Sequence, residues 1–392
     1  MVETTSFECY GHGCERGCEV DHGSRSGVAT PDAIGLHSCD CPVQLGPFVE
    51  TISNRSLGDR RHLQTPHVLG GVGGNRWRAP TRHGPVVLSA SLSDHGDRRT
   101  TRVGLALSYC SIMDVERLGG SCGAIVRGID VSRPQSADEI ETILRLLDEH
   151  LVIALPRQPL DLDRLEAFTD ELGGRDITPF ITPVDGRPHV IRVIKEPSDE
   201  LNFANAWHTD LSYLTAPPAY TVLHAHDVPA AGGDTMWANQ YLAYETLPDG
   251  VKQQIEGLRA THSAGMAYGT GGYLEAVAGK SSMTVAPSPD AHAVETHPLV
   301  IRHPRTGRAA LYANSVYTTG IEGMDPAEAA SLLARLTAHA THPNFTCRLR
   351  WEPEMLTIWD NNATQHFAIN DYPGERRELY RTSVAGTAPQ PV

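Results

Sequence analysis

Apolar and polar positions along this chain follow no sustained period through residue 112, neither the 3.6 residues of a helix nor the two of a strand. From 113 onward the pattern becomes readable. Residues 119–131 alternate loosely and stop at Arg133-Pro134, predicting a strand and a turn. Ser136-Ala137-Asp138-Glu139 has the form of a capping box, in which the serine and glutamate satisfy the free N–H groups of a helix start. Ile140, Ile143, Leu144 and Leu147 follow at helical spacing, predicting an amphipathic helix that packs on a sheet. Residues 151–155 read as a short buried strand stopped by Pro156, and 161–172 as a second helix ended by Gly173-Gly174.

Beyond residue 189 the strands multiply. The pattern predicts them over 189–195, 206–213, 220–227 and 235–238, then a helical interlude over 240–258. Strands resume over 298–303, 309–314, 345–350, 355–360 and 379–385, interrupted by a helix over 326–338. Many short strands with few helices indicate a mainly β fold with flanking helices, a double-sheet jelly roll, with 113–392 as one domain. The stretch 266–287, rich in Gly, Ser and Ala, reads as a mobile loop able to cover a site.

Composition separates the first 112 residues from the rest. They hold eleven arginines, eleven acids and no lysine, so the net charge of −14 falls entirely on 113–392. The upstream stretch lacks the apolar periodicity to bury a core, predicting a low-complexity, disordered extension over 1–112. Met113 to Leu118 also reads as a protein start, and translation beginning at Met113 stays open as the alternative. The acidic balance argues against nucleic-acid or anionic-membrane partners. No apolar run reaches the ~20 residues of a membrane span and no secretory signal is visible, so a cytoplasmic protein is expected. Homo-oligomerisation stays open.

Cys9, Cys14, Cys18, Cys39 and Cys41, with His12, His22 and His37, crowd the first 41 residues. A metal or redox-sensing module is the sharper reading, but the spacings do not match paired CxxC knuckles. Cys110, Cys122 and Cys347 read as small apolar residues or inert thiols.

The chemistry concentrates in Trp207-His208-Thr209-Asp210 and, far downstream, Gln365-His366. On a strand, residues i and i+2 share a face, so His208 and Asp210 can grip one metal. Two neutral imidazoles and one carboxylate hold Fe(II) on one face and leave the other positions open. An HxD tripeptide alone is weak evidence, and what strengthens it is its company: Gly232-Gly233-Asp234-Thr235, then Gln365-His366, then Arg377 and Arg381. Arg377, Leu379 and Arg381 fall on one face of a predicted strand and Arg376 on the other. Two cations on one face call for anions. His224 and His226 also stand at i and i+2, but without a third ligand in pattern they read as core or surface residues, as do His262, His297, His303 and His342. Trp359 reads as a core aromatic.

The runs WHTDLSY, GGDTMWAN, HPLVIRHPRTGRAALYAN and IWDNNATQHFAINDYPGERRELYRTSVAG, in this order, resemble the taurine dioxygenase (TauD/TfdA) family. That family includes 2,4-dichlorophenoxyacetate dioxygenases and alkylsulfatases, all dependent on Fe(II) and 2-oxoglutarate. The resemblance spans about 113 to the C-terminal end and implies a double-stranded β-helix with iron between its sheets. It implies that His208, Asp210 and His366 are the metal ligands. Arg377, helped by Thr235, would hold the distal carboxylate of 2-oxoglutarate, and Arg381 the anionic end of the primary substrate. Taurine-specific members carry a histidine and a tyrosine where Thr178 and Ile181 stand here, which implies a less polar substrate that still bears an anion, such as an alkyl sulfonate, a sulfate ester or an aryloxy or carboxylic acid. Related halogenases lack a carboxylate at the position of Asp210, so its presence implies hydroxylation, with succinate and carbon dioxide as co-products. A non-catalytic jelly-roll protein binding a metal or small molecule is the competing class.

Overall fold

The computed structural model describes residues 113–392 apart from 278, together with the backbone of four short strands, Thr5–Phe7, Cys18–Val20, Val87–Ser91 and Gly104–Ser108. The chain divides into units 1–79 and 80–392, and the site lies within the second. The expected extension over 1–112 lies outside the described residues except for those strands. The same holds for the N-terminal cysteines and histidines, of which only the backbone of Cys18 is described.

The capping box forms as expected: Ser136 Oγ accepts from Glu139 N at 3.3 Å, and Glu139 Oε2 accepts from Ser136 N at 2.8 Å. The helix Ala137–His150 ends at Leu151, whose φ of 64° turns the chain directly into the fully buried strand Val152–Leu155. The helix Leu162–Leu172 starts on the side chain of Asp161 and stops at Gly173. Both helices cover one face of an eight-stranded sheet. Its order is Asp114–Arg117, Ala124–Arg127, Val152–Leu155, Leu356–Asp360, Tyr220–Asp227, Arg377–Val384, Arg175–Asp176, with Ile191–Lys195 also pairing with Arg377–Val384.

Strand alternation then decides what faces what. Tyr220, Val222, Ile358, Leu356, Ile153 and Val384 point to the helices and pack on Ile143, Leu147, Leu165 and Phe168. Leu223, Ala225, Trp359, Val152, Ala154 and Leu379 point the other way, against Trp237, Cys347 and Leu349 of a second sheet. This sheet has the order Thr346–Leu349, Thr235–Asn239, Thr364–Ala368. Each fully buried Val, Leu, Ile or Phe among them contributes about 1.5–3 kcal/mol. The result is the mainly β double-sheet fold that the pattern predicts, with the inner faces of the sheets enclosing the site.

Several expectations are corrected. Residues 206–213 are not a strand: His208 forms one isolated antiparallel bridge with His366, and the chain then turns at Leu211, φ 51°. Asp210 is buried and must find partners, and these lie across on the large sheet, so the backbone leaves the ladder to reach them. The run 298–303 breaks at Leu299 into Val294–Pro298 and Val300–Arg302. The run 309–314 shortens to Ala309–Leu311 because the Asn314 side chain caps the following turn. The interlude is two helices, Gln240–Glu245 and Asp249–Ile255, separated at Pro248. Asp114–Arg117, Arg259–Ser263, Thr318–Ile321 and Thr364–Ala368 are strands that the pattern did not reveal. The segment 266–287 is tied back by Thr182 N to Thr284 O at 3.0 Å and Ala286 N to Phe180 O at 2.9 Å. No helix among the described residues is long and apolar enough to cross a membrane.

Candidate metal centre between the two sheets

His366 sits on the inner face of the small sheet, and the bridge to His208 brings the second imidazole beside it, ring centroids 4.1 Å apart. Asp210 follows in the turn. Its Oδ1 lies 3.6 Å from His208 Nε2 and 4.0 Å from His366 Nε2. One ligand atom from each residue falls within 4.8 Å of the others, and all three side chains are buried. Among the described residues no other three His, Cys, Asp or Glu side chains meet in this way. His208 Nδ1 is 2.8 Å from the Ala206 carbonyl, to which it donates when Nε2 is left as the free acceptor.

The electrostatics prepare the same groups. Burial disfavours ionisation of Asp210, but the Arg381 guanidinium beside it, with a hydrogen bond from His208, outweighs it and holds the carboxyl far below its ordinary range. Burial, with His208 and Arg381, lowers His366 to about 3 against the opposing pull of Asp210, so the imidazole is neutral. A neutral imidazole on His366 and an ionised carboxylate on Asp210 suit a divalent metal. Asp210 Oδ2 is fixed by Thr221 Oγ1 at 2.8 Å.

Arg377 and Arg381 point inward from the large sheet, as expected, and both are buried. Arg381 Nη1 lies 3.3 Å from Asp210 Oδ1, while its Nε and Nη2 find no partner. Arg377 has no ion pair among the described residues; it rests over the Trp351 ring at 5.6 Å, and burial lowers its pKa. Its Nη2 donates to Thr235 Oγ1 at 3.4 Å, and Trp351 Nε1 donates to the same oxygen at 3.0 Å. That leaves the Thr235 hydroxyl hydrogen free for an acceptor. Gly233, φ 69°, lets the preceding loop pass: an added Cβ would lie 3.1 Å from Arg377 Cδ. Arg376, on the opposite face, is paired with Asp227, Glu378 and Glu196.

A small cavity adjoins His366 and is lined by Thr235, Arg377, Arg381, Trp359, Phe203 and Leu223, among others. On the His208 side stand Tyr317, 6.1 Å away ring to ring, then Tyr213 and Phe180. The Tyr213 hydroxyl is buried without a partner. Thr178 is buried but does not line the cavity, and Ile181 packs with Leu211, Tyr213, Tyr268 and Tyr317.

Trp359 is a core aromatic, as expected, but it also lies 4.8 Å from the His366 ring and lines the cavity. Thr221, Phe203 and Tyr317 were not foreseen. Nothing in the sequence singles out Thr221 or Tyr317. His224 is buried against the Gln158 carbonyl at 2.8 Å, while His226 is exposed. His262, His297 and His303 hold Ser212, the Leu214 carbonyl and Asp360, bracing the turn after Asp210 and the end of the strand Leu356–Asp360.

Comparison with known proteins gives the family. The family described as "Taurine catabolism dioxygenase TauD, TfdA family" matches residues 114–383. An alpha-ketoglutarate-dependent sulfate ester dioxygenase of Pseudomonas putida is 34% identical over 285 residues, covering 71% of this chain and 91% of that protein. An alkylsulfatase of Acinetobacter baylyi is 32% identical over 276 residues, covering 70% and 85%. The crystal structure of a taurine dioxygenase from Burkholderia xenovorans superposes with a TM-score of 0.58 at 32% identity, covering 71% of this chain and 92% of that one. A family match over most of the chain, carried by sequence and by fold, makes this protein a member of the taurine catabolism dioxygenase TauD, TfdA family.

Proposed function

We propose that this chain is an Fe(II)- and 2-oxoglutarate-dependent dioxygenase that hydroxylates a small organic anion, with residues 113–392 as the catalytic domain and 1–112 as an extension without part in the chemistry. The observation that carries this reading is the meeting of three buried ligand atoms with two buried arginines whose free N–H groups adjoin the same cavity. His208, Asp210 and His366 would hold the metal, and the donor set suits iron with open positions. When bound, Fe(II) supplies the centre at which 2-oxoglutarate and dioxygen react to give succinate, carbon dioxide and an oxidised substrate. Arg377 offers its planar fork to the distal carboxylate of 2-oxoglutarate, and the free Thr235 hydroxyl adds a donor. Arg381, with Nε and Nη2 unpartnered, receives the anionic end of the substrate.

Phe180, Tyr213 and Tyr317 favour an apolar substrate body over a second charged group. The named relatives act on sulfate esters and alkyl sulfates, which share this form: an anion on an apolar carbon frame. We retain Thr178 as a substrate contact because it is buried just ahead of Phe180 and Ile181. A cytoplasmic setting suits the reading. The complete set of His208, Asp210, His366 and Arg377 argues against a non-catalytic binding protein.

The test is anaerobic addition of Fe(II) and then 2-oxoglutarate, watched for the weak visible charge-transfer band of the chelate. The band is expected to appear and to shift with alkyl sulfates, sulfonates or aryloxy acids. Folded, iron-loaded protein without a band refutes the reading.

A further inference from the structure

Neither metal binding nor substrate capture uses a row of oxidisable side chains that leads away from His366. His366, Trp237 and Cys347 are directly opposed across the small sheet and share its inner face. Trp359 closes on this row from the large sheet, its ring 4.8 Å from the His366 imidazole and 5.7 Å from the Trp237 ring. Cys122 Sγ is 3.9 Å from the Trp237 carbonyl and 3.3 Å from Cys347 Sγ. Both thiols are free, all five side chains are buried, and the cysteines stand 225 residues apart in sequence. Gly123, φ 82°, keeps the loop clear of the pair: an added Cβ would lie 2.7 Å from Cys347 Sγ. A disulfide requires the two sulfurs to close from 3.3 Å to about 2.05 Å.

We propose that Trp359 and Trp237 relay oxidising equivalents from the metal centre to Cys122 and Cys347, which close into a disulfide when the enzyme turns over without its primary substrate. This rests on the dioxygenase reading above. The reaction balances as 2-oxoglutarate, dioxygen and two thiols giving succinate, carbon dioxide, water and one disulfide. One oxygen atom enters succinate and the other leaves as water, with the two protons and two electrons of the thiols. Each indole passes one electron at a time, so two passages complete the bond. A thiol reductant restores the pair. The device spares the ligands and the cavity wall from the oxidation that an empty substrate site invites.

The experiment incubates the full chain with Fe(II), 2-oxoglutarate and air, without substrate. It measures succinate, and it maps disulfides by mass spectrometry of alkylated, unreduced digests. The Cys122–Cys347 peptide is expected to accumulate with succinate, up to one per chain. Trp359→Phe and Trp237→Phe are each expected to lower the disulfide formed per succinate about tenfold. Hydrogen peroxide alone, which oxidises the two thiols with release of two waters, should link them equally in wild type and both variants, showing that the thiols stay competent. Cys122→Ser should lose activity in several-fold fewer uncoupled turnovers. Succinate with both thiols intact, a disulfide yield unchanged by the Trp→Phe variants, or no link under peroxide overturns the relay alone. Absence of succinate overturns the dioxygenase reading and the relay with it.

Discussion

Replacing Arg377 by methionine should strengthen the empty protein and cripple it toward 2-oxoglutarate. Arg377 is buried, has no acid within ion-pair distance among the described residues, and leaves Nε without a partner. A buried cation without compensation is unfavourable until an anion arrives. Methionine keeps much of the packing against Trp351 and removes that strain, for a gain of about 1–2 kcal/mol. At about 2–4 °C per kcal/mol for a domain of this size, ligand-free melting should rise by about 2–8 °C. Loss of a charge-assisted, two-point bond to the distal carboxylate weakens binding by about 3 kcal/mol, roughly a hundredfold in Kd. Iron-loaded wild type under argon, at a hundred times its Kd of 2-oxoglutarate, gains about 2.7 kcal/mol, or about 5–10 °C. The variant at the same concentration would stand near its own Kd and gain about 0.4 kcal/mol, or about 1 °C. Differential scanning fluorimetry with and without 2-oxoglutarate reads both effects, and Arg377→Lys, a point charge without the fork, should fall between. A 2-oxoglutarate shift in Arg377→Met as large as in wild type refutes the assignment of Arg377 to the distal carboxylate. A ligand-free variant less stable than wild type refutes the argument about uncompensated charge.

Asp210→Ala should lose tight Fe(II) binding and all coupled succinate formation, measured by metal titration and product assay; full activity would sink the ligand assignment. His262 is lowered to about 3, chiefly by burial and then by His297, so its stabilising contribution is complete above about pH 6.5 and is lost as pH falls toward 3. In that window it should contribute a slope of about 1.4 kcal/mol per pH unit, and unfolding titrations of His262→Gln should show a slope shallower by that amount. Deleting residues 1–112 should leave steady-state kinetics and melting temperature unchanged; a fall in either would give the N-terminal stretch a role.

Local chemistry made much of this fold legible. The capping box, the buried run before Pro156 and the Gly173-Gly174 stop act within a few residues of where they are written, and each appears in place. The site was legible for a different reason: His208, Asp210, His366, Thr235 and Arg377 stand in ordered motifs, and motif order survives folding. What stayed hidden depends on contacts made at long range. The turn at Leu211 follows from Asp210 seeking Thr221 and Arg381 on another sheet. The ring wall joins Tyr213 to Tyr317 and Phe180 only after the chain has wound around itself. Cys122 and Cys347 read singly as inert, and only sheet topology makes them a pair.

The bridge between His208 and His366 has its own consequence. It is reciprocal: His208 N donates to His366 O at 3.1 Å, and His366 N to His208 O at 2.8 Å. Two backbone bonds therefore clasp the ends of a long excursion of chain. The imidazoles are aligned in advance, so the metal need not spend its binding energy on closing that loop. The metal proposed here would be a visitor to a finished frame rather than a keystone: a chelator should empty the centre reversibly while the fold around it stands, and reloading should require no refolding.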